Sequence, residues 1–147
     1  MRFTLLAGAA AILCSSVAHA GPAENKVTAL AFYDALIVSK KGAAAAKQYL
    51  APNFRSHSPG FSKGNADEFL GPADDAMKNP SSTIAQWHVD VRHAVAEGDL
   101  VFIHARARVG PKTYVLVDIL RFEKGKIAEH WDDEQDVTDS KNKNGTF

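Results

Sequence analysis

The chain has 147 residues, 17 basic and 17 acidic side chains, no net charge with histidine neutral, and one cysteine, Cys14. That balance excludes a polyanion-binding domain held by bulk charge, nucleic acid included. A single cysteine excludes an internal disulfide framework.

Met1-Arg2, the apolar and small-residue run Phe3 to Ser16 and the Ala18-His19-Ala20 ending read as a cleavable secretory signal over 1–20. Its apolar stretch is shorter than the ~20 residues a membrane helix requires, and no later segment approaches that length. The expected product is a periplasmic or secreted chain, free of the membrane after cleavage. It retains five histidines, no cysteine and one acidic residue in excess. Residues 21–137 are expected to form one domain, and 138–147 a flexible polar tail.

Glu24 to Lys41 has helical apolar spacing and ends on Lys40-Lys41-Gly42, two cations and a glycine at the carbonyl end. A shorter helix is expected from Ala43 to Leu50, before Pro52, then an extended piece from Asn53 to Pro59 that contains His57. Asn65 and Glu68 have capping-box spacing. The helix they begin is expected to break at Gly71-Pro72 and finish at Asn79-Pro80. From Gln86 the pattern becomes alternating and β-branched, giving strands Gln86 to Ala96, Leu100 to Val109, Thr113 to Glu123 and Lys126 to Val137. Helices followed by a meander predict an α+β domain with the helices on one face of a curved antiparallel sheet.

Short turns fix which side chains meet. With Gly98-Asp99 and Lys124-Gly125 as two-residue turns and Gly110 to Lys112 as a three-residue turn, one row across the sheet reads His93, His104, Asp118, Trp131. The neighbouring row contains Val95, Phe102, Leu120 and Glu129, so this face grades from an apolar floor to polar groups as a pocket would. Val101, Ile103, Ala105, Ala107, Val117 and Ile119 fall on the opposite face, together with His130 and Asp132. A homodimer through that face would cover its apolar residues. In the alternative the faces are reversed and the helices cover the aliphatic side.

The run Ala96 to His104 (A-E-G-D-L-V-F-I-H), the run Val117 to Asp132 (V-D-I-L-R-F-E-K-G-K-I-A-E-H-W-D), the A-F-Y-D helix and the F-R-S-H-S-P segment together resemble the SnoaL-like, polyketide-cyclase branch of the nuclear transport factor 2-like superfamily. The resemblance implies a cone-shaped α+β barrel, usually dimeric, with a deep pocket between helices and sheet. It also implies cofactor-independent chemistry, in which a pocket aspartate at Asp118 removes a carbon-bound proton next to carbonyls, with His104 as its companion.

Read as a residue, Asp118 lies in the most apolar strand, where burial destabilises a carboxylate and makes it a stronger base. The bland reading is a buried acid tied to a neighbour. His104 would orient Asp118 or donate to an oxyanion, and Trp131 and Phe102 would form apolar wall and floor. His57 would reach the pocket mouth, Tyr33 would supply a second donor or merely pack, and His93 would lie beside His104. The reaction class this suggests is an aldol cyclisation or an isomerisation of a small carbonyl compound. A non-catalytic carrier of a small hydrophobic ligand is the second reading. A metal-dependent variant using His93, His104 and Asp118 is the third. No G-x-S-x-G, H-E-x-x-H or G-x-G-x-x-G motif is present, which argues against the common hydrolase, protease and nucleotide-binding chemistries.

Overall fold

The computed structural model describes residues 20–142 and 144–147. All but the last residue of the expected signal segment lies outside the described residues, as does Lys143.

Helix α1 (Pro22–Tyr33) starts with proline in its first turn, where a missing N–H costs nothing, and buries Asn25, Ala29, Phe32 and Tyr33. The chain continues from it through a π-helical turn, Asp34–Val38, and ends there in place of running helically to Lys41. Lys40 at φ +48° and Gly42 at φ +87° then redirect it. Helix α2 (Ala43–Lys47) is only five residues long, because Leu50 opens strand β1 (Leu50–Ser56).

Helix α3 (Ala66–Lys78) begins as its caps predict, Asn65 Oδ1 accepting from the Glu68 N–H at 2.9 Å. The Glu68 carboxylate reaches further back than a capping box would and accepts from the N–H groups of Ser62, Lys63 and Gly64. The expected break at Gly71-Pro72 does not occur. The helix runs through Pro72, burial of Phe69, Leu70, Ala73 and Ala76 on one stripe outweighing the lost backbone bond. A single turn, α4 (Thr83–Gln86), capped by Ser82, stands where the first long strand was expected to open.

Strands β2 (His88–Glu97), β3 (Leu100–Val109), β4 (Lys112–Glu123) and β5 (Lys126–Asp136) form the meander. With β1 the sheet order is β1-β5-β4-β3-β2, and β1 is parallel to β5, so the sheet is mixed. Helices pack on the face carrying Val101, Ile103, Ala105 and Ala107, all at most 1% exposed. The α+β expectation holds with the faces of β3, and of β5 beyond Ala128, reversed.

Two one-residue shifts cause the reversal. Val109 faces Lys112, so the β3–β4 turn is Gly110-Pro111 alone, two residues and not three. Gly110 has φ +53°, and proline's fixed φ suits the next position, which is the backbone of a type II′ hairpin. Asp118 therefore faces Ile103, while His104 faces Val117. The Lys124-Gly125 turn is as expected, but the β4–β5 register slips after Phe122↔Ile127 to Arg121↔Glu129. This bulge at Ala128 turns His130 inward and Trp131 outward. A third shift, after His93↔His104, pairs Asp90 with Arg106. Among the described residues no helix is long and apolar enough to cross a membrane.

Candidate functional site

The helices and the inner sheet face enclose a cavity of about 180 Å³. Phe32 and Leu36 from the first helical segment, Phe69 and Ala73 from α3, and Ile84 and Trp87 around α4 form its apolar wall. Leu116, Asp118, His130, Asp132 and Glu134 face them from the sheet.

Asp118 is the centre of the polar part. Tyr33, the last residue of α1 before the π turn, donates its hydroxyl to Asp118 Oδ2 at 2.9 Å, while His130 Nε2 lies 3.0 Å from Asp118 Oδ1. The other imidazole nitrogen, Nδ1, is 3.0 Å from Ser56 Oγ on β1, and that oxygen accepts from the Ser58 N–H at 3.3 Å. Every group is satisfied with a neutral His130 protonated on Nε2: Ser56 donates to Nδ1, and Asp118 accepts from both His130 and Tyr33. Burial first, and the neighbouring Asp118 charge second, push the Tyr33 phenol far above the ordinary tyrosine range, so it remains a neutral donor. The Asp118 side chain is 16% exposed and that of His130 4%. Each carboxylate oxygen has a further lone pair available to the cavity.

The residues singled out in the sequence divide between the two faces. Asp118 and Tyr33 meet in the cavity. His104, His93, Phe102 and Trp131 lie on the opposite, outward face, because the hairpin and bulge shifts move them there. His93 Nδ1 and His104 Nδ1 do pair, at 3.2 Å, and the Phe147 ring stacks over His104 at 5.9 Å. His57 stacks on Trp131 at 4.6 Å and bonds Glu129 at 3.1 Å, on the outer side as well. The expected His104–Asp118 contact is thus replaced by His130–Asp118, and the His93, His104, Asp118 cluster does not converge. Among the described residues no three His, Cys, Asp or Glu side chains gather as a metal-binding group. Sequence reasoning missed His130, Ser56 and Trp87. The Gly-Pro pair was a readable signal for the shorter turn, whereas the bulge that brings in His130 left none.

Helices packed on one face of a five-stranded mixed sheet are the fold of the nuclear transport factor 2-like class of α+β cones. The profile of the SnoaL-like domain family matches residues 29–130, and the chain belongs to that family, as the quoted motifs implied. Among solved structures, it is similar to a proposed ketosteroid isomerase from Kribbella flavida, with 16% identity, coverage of 78% of this chain and 79% of that one, and TM-score 0.64. It is also similar to IdmH, a proposed polyketide cyclase from Streptomyces antibioticus (19% identity, 76% and 91% covered, TM-score 0.62). A third is an LEH-like epoxide hydrolase from M. tuberculosis (16% identity, 78% and 84% covered, TM-score 0.58). At these identities the likeness establishes the fold alone. No curated protein matches the chain.

Proposed function

We propose that the protein is a cofactor-independent acid/base enzyme acting on a small carbonyl compound, with Asp118 as the base. The observation that carries the reading is the double hydrogen bond to Asp118, from Tyr33 and His130, across the cavity from the apolar helical wall. Asp118 takes a proton from the carbon next to a carbonyl, and the C–H electron pair moves into an enolate. In a cyclisation the enolate carbon attacks a second carbonyl of the same molecule, forming the ring C–C bond as that C=O π pair becomes an alkoxide, and the proton held by Asp118 passes to the alkoxide, restoring the carboxylate. In an isomerisation Asp118 returns the proton to another carbon. Once Asp118 is protonated it no longer needs the Tyr33 hydroxyl, which is free to turn to the enolate oxygen. His130 keeps the carboxylate in place, and Ser56 fixes the imidazole.

The test is deuterium exchange at carbon acids such as small ketones, with Asp118→Asn as the control. The proposal expects the exchange to fall by ~10²-fold or more in the variant while ligand binding persists. Exchange undiminished in Asp118→Asn would falsify the base assignment. Binding without exchange in the native protein would instead support a carrier of a small hydrophobic ligand.

The proposed setting is outside the cytoplasm, on the strength of the signal-like 1–20 segment. The proposed assembly is a homodimer through the outward sheet face, where Val95, Phe102 and Val117 are exposed by 60%, 37% and 40%.

A further inference from the structure

The cavity of about 180 Å³ is little larger than one of ~150 Å³ that holds benzene. One six-membered ring with a few further atoms fills such a space, whereas fused second and third rings exceed it. The sheet side does not take up the excess, because Asp132 and Glu134 are exposed there and an apolar body laid over them would strip water from two carboxylates. On the helical side the limit is Trp87, which borders the cavity with Ile84. Helix α4 buries none of its own four residues, so core packing does not fix this wall. Trp87 is fixed by other means. Its indole stacks on Tyr114 of β4, with centroids 5.9 Å apart and planes 14° apart, and its carbonyl accepts from Lys40 Nζ at 2.7 Å. Lys40 stands just beyond the π-helical turn that supplies Leu36 and Ile37 to the same cavity. Its backbone is left-handed, at φ +48°, which is unfavourable for a residue with a side chain. The bond to Trp87 ties two wall segments of the cavity together.

We propose that Trp87 is the specificity-determining residue of the cavity, closing it to all but single-ring carbonyl compounds, and that Lys40 is the positioning residue that holds it there. The inference rests on the reading of this cavity as the reacting site and narrows the substrate of that reading. A monocyclic ketone places its carbonyl toward Asp118 and Tyr33 and its ring against Phe32 and Phe69, while a polycyclic one meets the indole. Apolar burial alone would favour the larger ligand, so preference for the smaller one is the signature of a closed wall.

The experiment is calorimetry on the full chain with two methyl ketones that differ by one fused ring, acetophenone and 2-acetonaphthone. Acetophenone should bind about tenfold or more tighter, as overpacking opposes the second ring. In Trp87→Ala the order should reverse, the naphthyl ketone gaining about tenfold or more as the space of the indole opens. Trp87→Phe, which keeps a ring against Tyr114, should move the ratio the same way by less, and it decides the matter if circular dichroism shows Trp87→Ala unfolded. Lys40→Met should weaken the preference while circular dichroism stays native, and Lys40→Arg, which keeps a donor, should restore it. Equal or tighter binding of 2-acetonaphthone by the native protein, a ratio unchanged in the folded Trp87 variants, or binding of neither ketone overturns the proposal. A native ratio in Lys40→Met removes Lys40 from it. Deuterium exchange at the methyl groups of the same ketones reports separately. Size preference without exchange leaves the wall and its monocyclic ligand standing and removes the enzyme, while exchange without size preference does the reverse.

Discussion

Tyr33 and Asp118 join the end of the first helix to the middle of the sheet, hydroxyl to Oδ2, at 2.9 Å. Tyr33→Phe removes that donor and leaves one oxygen of the part-buried carboxylate without its partner. We expect a stability loss of ~1–3 kcal/mol by urea denaturation and a slower exchange reaction. The same phenol sets an alkaline limit. Its pKa is raised in the fold above the ordinary value of 10.0, so its stabilising contribution is complete below pH 10 and declines as pH rises past it, where the unfolded tyrosine ionises first. Tyr33→Phe should lose less stability between neutral pH and the alkaline range than the native protein does; an identical alkaline loss in both would remove Tyr33 from this role.

His130 and His104 make the sharpest contrast. His130→Ala strips a hydrogen bond from Asp118 and from Ser56 at a 3%-exposed position, and we expect ~3 kcal/mol of destabilisation with loss of exchange. His104→Ala, on the outward face, should stay within about 0.5 kcal/mol of the native protein and keep its activity. Equal damage from both would show that the outer histidine serves the site after all.

That contrast also measures what was legible. The strand order of the meander, the Asn65 cap and the Asp118 candidate follow from alternation, turn chemistry and the isolation of a charge in an apolar strand. Which face Asp118 shares is a different kind of information, since the side-chain period is two and one residue reverses it. Gly110-Pro111 carries its turn type in its own backbone preferences. The Ala128 bulge does not. It arises where β5 serves two partners at once, antiparallel β4 and parallel β1, and no local residue pattern announces such a tertiary demand. Pro72 failed as a helix breaker for a related reason, the apolar stripe of α3 being satisfied by partners distant in sequence, Phe32 of α1 and Phe54 of β1 against Phe69 among them.

Glu68 should shape the acid limb. Backbone N–H donors at Ser62, Lys63 and Gly64 lower its pKa from 4.5 to about 2. A depressed carboxylate pKa stabilises the fold above its unfolded value, so the contribution is complete above pH 4.5 and is lost as pH falls toward 2. Thermal melts across that window should show Glu68→Gln starting lower and losing less than the native protein. Parallel acid curves for the two would mean that the loop 62–64 gains nothing from the charge.

Gly64 positions Ser56, and through it His130. Its φ is +60°, and a Cβ added there would lie 2.2 Å from the Ser56 carbonyl oxygen, while its own carbonyl accepts the Ser56 N–H at 2.7 Å. Backbone cannot yield as a flexible side chain can, and the left-handed conformation alone costs a non-glycine residue about 1–2 kcal/mol. Gly64→Ala should therefore destabilise by ~2 kcal/mol or more. Because the displaced atom belongs to Ser56, it should also change the His130 ring signals in NMR spectra, and a variant with native stability and unshifted His130 resonances would refute this coupling.

Arginine placed at two positions in neighbouring strands separates the covered face from the open one. Ile103 is 1% exposed under the helices, so Ile103→Arg buries an unpaired charge and should unfold the domain, with a loss above about 4 kcal/mol. Val117, directly opposite His104, is 40% exposed and should accept arginine with native circular dichroism. Sedimentation then decides the assembly. If the outward face joins two copies, Val117→Arg should sediment as a folded monomer where the native protein is a dimer, since a charge facing its own symmetry mate is repelled. An unchanged mass would reject that interface, and a folded Ile103→Arg would show that the helices do not cover the face on which Asp118 lies.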